Sequence, residues 1–483
     1  MNAPIRRLSV LVLVLFGSLL LSSTYIQFVQ ASSLREKPNN RRTLLENYSR
    51  QRGPILITGK PVARSVATDD ELKYVRQYSN GELYSHLTGY YSFVYGAGAG
   101  IERSENDLLS GQADQLFYRR VVDVLTGREQ QGASVELTVD PAAQKAAADG
   151  LGEQRGAVVA LDPRTGAILA MASNPTYDPN ELAGHDLTTV QANYKRLLAD
   201  DDDPLINRSI QALYPPGSTF KVVTAAAALS SGRYTENSVV PGPAVLDLPQ
   251  TTANLRNDFA GSCGPNDKVD LTRALQISCN TAFASLGLAL GDDAIRAQAE
   301  KFGFGDRIGV PMPVAPSIVP ADMNKPQTAQ AAIGQYDVRV TPLQMAMVAA
   351  GVANDGVVMA PYSVKTVRGP DLDVLDQAKP QELSRAVDSS VADQLTRMME
   401  KVVESGTGTR AQIPGIKVAG KTGTAQHAKG EPPHAWFICF APADDPKVAV
   451  AVVVEDGGKA GNEAFGGRIA APIAKSVMEA VLR

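Results

Sequence analysis

The sequence predicts a multi-domain α/β (α+β) protein, in which an antiparallel sheet flanked by helices follows a membrane helix and a small mixed module. Three observations support this fold class. Residues 8–29 are uncharged and apolar, residues 31–150 are polar and interrupted by glycines, and residues 151–483 place strand patterns on both sides of several helical patterns. We therefore expect three regions, 1–30, 31–150 and 151–483, in a chain of 483 residues.

The apolar run from Leu8 to Val29 has about the length that a helix needs to cross a bilayer. Arg6 and Arg7 precede it and favour a short cytoplasmic tail, although residues 35–42 are also basic. A cleaved signal peptide is the alternative, because Val29-Gln30-Ala31 resembles a cleavage site. The length of the run favours a single uncleaved anchor. In both cases the bulk of the chain leaves the cytoplasm.

Composition excludes some classes of function. The formal net charge is -4 and no basic stripe is present, so we expect no nucleic-acid partner. Three cysteines form no C-x-x-C pair; a Cys263–Cys279 bridge and two buried thiols are both open interpretations. Four histidines lack the spacing of metal ligands, and the sequence predicts neither a metal site nor an organic cofactor.

The region 31–150 reads as a small mixed module without catalytic motifs. Short strand patterns over 54–58 and 134–139 alternate with glycine turns. The glycine-rich run 96–100 is not a phosphate loop, because no lysine followed by serine or threonine comes after it.

The region 151–483 opens with two apolar strands over 156–162 and 167–173, joined by the turn residues Pro163 to Gly166. Helical patterns follow at 271–290, 341–353 and 389–403. Further strands are expected at 416–424, 435–441 and 448–454, and a last helix at 468–482. We expect one sheet whose first and last strands meet, covered by helices.

Ser218 lies where a turn leads into an apolar helix. The segment 214–221 reads YPPGSTFK, and residues 222–229 are alanine or aliphatic apart from one threonine. Ser218 is thus expected in the first helical turn, with Lys221 beside it on the same face. A lysine within an apolar helix loses solvation, so its pKa falls and it can take the serine proton. Alone, Ser-x-x-Lys is more often a solvated helix start.

Two further segments hold chemically suitable groups. Ser278-Cys279-Asn280 offers a hydroxyl for proton relay and an amide for holding a substrate; Ser104-Glu105-Asn106 has the same pattern, and only position favours the later copy. Lys421 is expected on a strand, where it supplies positive potential, and Gly423 allows a close approach.

The hydroxyls of Thr422 and Thr424 suit a carboxylate. An N–H of their strand, at Thr424, could join that of Ser218 in an oxyanion hole. In isolation, Lys-Thr-Gly would be read as a surface turn.

The order of the three motifs, separated by about 60 and about 140 residues, resembles that of penicillin-binding proteins. The first module is similar to that of the class B, monofunctional branch, in its Arg52-Gly53-Pro54-Ile55, Gly100-Ile101-Glu102 and Thr138-Val139-Asp140 segments. The chain looks most like the small actinobacterial-type septal or elongation transpeptidases. A class A enzyme would need a glycosyltransferase domain, for which there is no room.

The resemblance implies a serine transpeptidase/β-lactamase-like fold for 151–483, behind an amino-terminal pedestal module. It implies a peptidoglycan D,D-transpeptidase that acts on stem peptides ending in D-Ala-D-Ala and is acylated by β-lactams. Ser218 would be the nucleophile and Lys221 its base, Ser278 the proton relay and Asn280 the residue that orients the donor peptide. Lys421, Thr422 and Thr424 would hold the terminal carboxylate.

The resemblance also implies a single-pass membrane protein with an extracytoplasmic catalytic domain. Its expected partners are a membrane peptidoglycan glycosyltransferase and other division or elongation proteins. A β-lactamase and a catalytically weak β-lactam-binding scaffold are the alternative functions. The sequence does not distinguish septal, elongation and sporulation roles.

Overall fold

The computed structural model describes residues 2–30, 48, 50–427, 430–463 and 465–483. At the amino terminus, the helix Asn2–Thr24 continues as a π-helical turn over Tyr25–Val29. The segment Ala3–Gln27 is long and apolar enough to cross a membrane. Its 25 residues rise about 38 Å, against a hydrocarbon core of about 30 Å. The basic stretch 35–42, and Ala31 of the alternative cleavage site, lie outside the described residues.

Nineteen strands and sixteen α-helices are assigned within the described residues. The strands are β1 Ile55–Ile57, β2 Lys60–Ala67, β3 Tyr74–Tyr78, β4 Tyr91–Ser92, β5 Gly96–Ala97, β6 Ser134–Leu137, β7 Gly156–Leu161, β8 Ile168–Asn174, β9 Val239–Pro241, β10 Val245–Asp247, β11 Asn254–Arg256, β12 Lys268–Asp270, β13 Val357–Met359, β14 Val364–Arg368, β15 Val374–Gln377, β16 Glu382–Arg385, β17 Ala419–Ala425, β18 His434–Ala441 and β19 Val448–Val454. The helices are α1 Asn2–Thr24, α2 Gly81–Thr88, α3 Gly100–Ser104, α4 Asn106–Leu109, α5 Phe117–Thr126, α6 Pro141–Leu151, α7 Asn180–Ala183, α8 Leu187–Leu198, α9 Lys221–Ser230, α10 Leu271–Gln276, α11 Asn280–Leu290, α12 Asp292–Lys301, α13 Lys325–Ala331, α14 Pro342–Ala353, α15 Ser389–Ser405 and α16 Gly466–Leu482.

A five-stranded antiparallel sheet in the order β17-β18-β19-β7-β8 forms the centre of the larger region. Strand β19 pairs with β7, with Ala451 opposite Val159, so the first and last strands meet as predicted. Strand β17 is an edge strand and begins at Ala419, not at Ile416 as predicted. The reason is a tight turn before it, in which Ile413 bridges to Ile416 and Gly415 has a φ of 76°.

Helices cover both faces of this sheet. Alternate residues of β7 divide between two cores, with Val159 facing α14 and Val158 facing α6 and α16. Helix α15 packs beside the edge strand β17. The predicted arrangement of one helix-covered antiparallel sheet is confirmed, and the edge strand β17 is open along one side.

The predicted helix over 271–290 is wrong as a single element. It is divided into α10 and α11, because Ser278 has a left-handed φ of 60° and Cys279 caps the second helix by accepting a hydrogen bond from the N–H of Ala282. Cys279 also forms a disulfide with Cys263, which resolves the open question of these cysteines. Cys439 is a buried free thiol.

The first module contains a six-stranded sheet in the order β15-β14-β6-β1-β2-β3. Two of its strands, β14 and β15, come from residues 364–377, more than 200 positions after the others. Nothing in the local sequence predicts that they join this sheet. In the same module Glu102 is fully buried and binds both Arg52 and Arg76 at 2.6 Å. Burial alone would raise the pKa of Glu102, but the two arginines hold it below its ordinary value.

Candidate active site

Ser218 lies in a tight turn that is pressed against strand β17. A 3-10 turn spans Gly217–Phe220 and α9 begins at Lys221, one residue after it. The N–H of Gly217 donates a 2.9 Å hydrogen bond to the carbonyl of Gly334. Gly217 has a φ of 53°, and a Cβ there would lie 2.6 Å from the carbonyl oxygen of Thr424. These contacts hold Ser218 against the predicted Lys-Thr-Gly strand. Only 6% of the residue is exposed.

Lys221 is fully buried, as its apolar helix predicts. Its Nζ lies 2.7 Å from Oδ1 of Asn280, 2.8 Å from the carbonyl of Ser278 and 3.2 Å from Oγ of Ser278. Burial lowers the pKa of Lys221 to about 7, while Asp258 acts in the opposite direction. Near neutral pH a large fraction of this amine is therefore unprotonated and able to accept a proton.

Lys421 contacts the same hydroxyl of Ser278. Its Nζ donates hydrogen bonds to Oγ of Ser278 at 2.9 Å and to the carbonyl of Thr422 at 2.8 Å. Burial, and then the nearby Lys221, lower its pKa well below the ordinary value. The hydroxyl of Ser278 therefore lies between two buried amines, which suits a group that passes a proton.

The backbone at Ser278 explains how one residue contacts both lysines. A non-glycine residue with φ near 60° is strained, and such strain concentrates at functional sites. The turn aims the carbonyl and the hydroxyl of Ser278 towards Lys221, and starts α11 with Asn280 as its first residue. The amide of Asn280 is held by the carbonyl of Arg256 at 3.1 Å and by Asp258 at 3.2 Å.

The open edge of β17 faces the serine turn. The carbonyl of Thr422 points to this edge, because it accepts from Lys421. Backbone groups two residues apart in a strand point the same way, so the N–H and carbonyl of Thr424 also face this edge. The close approach predicted at Gly423 is found: a Cβ there would lie 2.9 Å from Cγ2 of Thr219.

The two threonines of the strand differ in their surroundings. Thr422 is nearly buried, and its hydroxyl lies 2.6 Å from that of Thr407. Thr424 is partly exposed. Of the two hydroxyls, that of Thr424 is the more accessible to a ligand in the cleft.

Several residues that shape the site were not predicted from the sequence. Asp258, Thr407 and Gly334 follow no local pattern, because each reaches the site only through tertiary contacts. The rival motif copy lies elsewhere, in the first module, where Asn106 accepts a 2.9 Å hydrogen bond from Arg52.

A buried polar network supports the residues before the serine turn. Glu455 accepts hydrogen bonds from Nε of Arg208 at 2.9 Å and from the hydroxyl of Tyr214 at 2.6 Å. Because Tyr214 lies four residues before Ser218, this network anchors the entrance to the turn.

Two family models match the chain. The penicillin binding protein transpeptidase domain matches residues 156–479, and the penicillin binding protein A dimerisation domain matches residues 52–135. The two matches together include all three motifs and most of the first module.

Curated relatives match along the whole chain. The peptidoglycan D,D-transpeptidase PbpA of Mycolicibacterium smegmatis is 45% identical over 492 aligned residues, with 100% of this chain and 99% of the relative covered. PbpA of Mycobacterium tuberculosis is 44% identical over 495 aligned residues, with the same coverage of 100% and 99%.

Among solved structures, the ceftriaxone acyl-enzyme complex of penicillin-binding protein A from M. tuberculosis superposes with a TM-score of 0.88. It is 43% identical and covers 91% of this chain and 100% of its own. This structural relative is thus a protein that is acylated by a β-lactam.

Proposed function

The chain belongs to the penicillin-binding protein transpeptidases, and we propose that Ser218 is the nucleophile of its activity. The activity is that of a peptidoglycan D,D-transpeptidase, which forms a serine acyl-enzyme and is acylated by β-lactams. The contacts that link Lys221, Ser278 and Lys421 beside the serine turn are the single observation that carries the assignment of residues.

Acylation begins when Lys221 takes the proton of Ser218. The oxygen of Ser218 forms a bond with the carbonyl carbon of the penultimate D-Ala of the donor peptide. The bond to the terminal D-Ala nitrogen then breaks, and the leaving amine receives a proton through Ser278. An amine of a neighbouring strand attacks the acyl-enzyme, forms the cross-link and returns the serine oxygen to its protonated state. Lys221, about half neutral near pH 7, is suited to accept and release this proton.

The backbone N–H groups of Ser218 and Thr424 form the oxyanion hole in this proposal. The N–H of Thr424 faces the serine turn across the open strand edge, and one donor of this kind contributes about 3 kcal/mol to transition-state stabilisation. Lys421 supplies positive charge, and Thr424 with Thr422 holds the terminal carboxylate beside Gly423. Asn280, fixed between Lys221 and Asp258, orients the donor peptide.

The anchor and the first module complete the proposal. We assign residues 1–30 to the cytoplasmic tail and membrane anchor, 31–150 to the pedestal module and 151–483 to the catalytic domain on the outer side of the membrane. Strands β14 and β15, although they come from 364–377, complete the sheet of the pedestal module. Substrate strands are made at the membrane, so a membrane peptidoglycan glycosyltransferase and other division or elongation proteins are the expected partners.

Intact mass after incubation with benzylpenicillin tests the proposal. We expect a single, slowly hydrolysed adduct, and peptide mapping should place it on Ser218. Ser218→Ala should lose the adduct, whereas Ser104→Ala, in the rival motif copy, should keep it. An adduct on another residue would refute the assignment of Ser218, and rapid penicillin turnover would indicate a β-lactamase. An unlabelled wild type would favour the scaffold.

A further inference from the structure

Two histidines and an aspartate meet just beyond the end of strand β17. Nε2 of His427 lies 3.2 Å from Oδ1 of Asp456, and Nδ1 of His434 lies 3.6 Å from the same oxygen. One possible ligand atom from each of the three residues lies within 4.8 Å of the others. Sequence spacing did not reveal this group, because Asp456 comes 22 positions after His434 and only the β18–β19 pairing brings them together.

We infer that His427, His434 and Asp456 bind a zinc ion. Zinc prefers four ligands in a tetrahedron, with bonds of about 2.0–2.2 Å to imidazole nitrogen and carboxylate oxygen. Neighbouring ligand atoms in such a tetrahedron are about 3.3–3.5 Å apart. The two measured distances of 3.2 and 3.6 Å bracket this value. Three protein ligands leave the fourth position to water.

Binding requires a local rearrangement that the site can accommodate. The two imidazole rings are stacked, with centroids 4.0 Å apart and planes 8° apart, so one ring must turn before both lone pairs converge. The side chain of His427 is 25% exposed, whereas that of His434 is 9% exposed, so His427 is the ring that turns.

His434 must also exchange one partner. Its Nδ1 accepts a hydrogen bond of 3.1 Å from the N–H of Asp456, which zinc would replace. The neighbouring Glu455 is already held by Arg208 and Tyr214, and it is not counted as a ligand.

The bound ion would join three parts of the catalytic region. His434 opens β18 opposite Ala425, the last residue of β17, and Asp456 lies just after β19, with a left-handed φ of 49° in the segment Glu455–Glu463. Zinc would therefore hold the end of the Lys-Thr-Gly strand to the segment after β19. None of the three residues is assigned a role in the proposed reaction, so the test of zinc binding does not depend on that reaction.

The experiment uses the full chain in detergent, without a histidine tag and stripped of metal with a chelator. Equilibrium dialysis against Zn²⁺ should give one ion per chain, and Co²⁺ should produce the intense visible absorption of a tetrahedral site. Saturating Zn²⁺ should raise the Tm by about 2–4 °C, because a ligand that binds the folded state stabilises it.

Two variants and a matched control decide the result. His427→Ala and Asp456→Asn should lose the bound zinc, the cobalt spectrum and the Tm shift. His185→Ala removes a histidine that is paired with Asp70 elsewhere, and it should keep all three. Benzylpenicillin labelling of His427→Ala should continue, which shows that this variant is folded. Zinc binding by His427→Ala equal to that of the wild type, or no zinc bound by the wild type, would overturn the inference.

Discussion

Lys421 donates a 2.9 Å hydrogen bond to Oγ of Ser278, the same oxygen that lies 3.2 Å from Nζ of Lys221. Both lysines are fully buried, and burial lowers the pKa of each. Two adjacent buried ammonium groups repel one another, so the pair favours a state in which one amine is neutral. This arrangement supports the proposed role of Ser278 in proton relay.

The pH dependence of acylation should report this neutral amine. With a pKa of about 7 for Lys221, the fraction able to accept a proton falls as the pH drops below 7. We expect the rate of acylation by fluorescent penicillin to fall about tenfold for each pH unit well below 7. Lys221→Ala should not be labelled. A rate that is constant between about pH 5 and 8 would contradict the role of Lys221 as base.

Replacing Lys421 should weaken acylation without unfolding the protein. Lys421→Ala removes the donor to Ser278 and the positive charge beside the serine turn, and we expect a loss of about 100-fold in the acylation rate. Lys417→Ala, at an exposed position just before the strand, is the matched control and should label normally. Equal rates for Lys421→Ala and the parent would remove Lys421 from the site.

Asp258 lies outside the three motifs and should affect the pH dependence of acylation through the pKa of Lys221. Its charge raises the pKa of Lys221, so Asp258→Asn should move the acid limb of the acylation profile about half a unit towards lower pH. The new amide keeps an oxygen that can accept the hydrogen bond from Asn280. The measurement is the same pH series, with Asp247→Asn as an exposed control. A shift towards higher pH would refute this electrostatic role.

Gly217 should be intolerant of a side chain because of the strand it touches. Gly217→Ala places a Cβ about 2.6 Å from the carbonyl of Thr424, and should separate the serine turn from β17. We expect a loss of about tenfold or more in acylation rate and about 1–3 kcal/mol of stability.

Gly232→Ala isolates the cost of the backbone conformation. Gly232 has a φ of 69°, and among the described residues no neighbouring heavy atom lies within 4 Å of the position that a Cβ would take there. Gly232→Ala therefore introduces the backbone strain of a positive φ without a steric contact. Both variants are compared by labelling rate and by Tm. If Gly232→Ala slows labelling as much as Gly217→Ala does, contact with Thr424 is not the cause.

Turn chemistry and apolar patterning predicted most of the central sheet. Pro163 to Gly166 marks the hairpin, and the strands at 435–441 and 448–454 agree with the structure to within one residue. The break at Ser278 could not be predicted, because no glycine or proline interrupts the run from Leu271 to Gly287. It depends on the bridge to Cys263 and on contacts with Lys221, which are tertiary.

Only those site residues that belong to short sequence motifs could be predicted. Ser218, Lys221 and Lys421 belong to such patterns, and the burial of both lysines follows from their apolar neighbours. Asp258 and Gly334 are distant in sequence from the residues that they contact in the site, so no short segment of the sequence predicts their roles. The histidine group at His427 was missed for the same reason.

Strand β14 has a consequence for any attempt to isolate the first module. It pairs with β6 along Ser134–Leu137, while β6 pairs on its other side with β1. A fragment that stops near residue 150 lacks β14. The N–H and carbonyl groups of β6 that pair with β14 are then exposed and can pair with another chain. Such a truncated piece should aggregate on expression, whereas grafting the 364–377 hairpin back onto it should restore a monodisperse product.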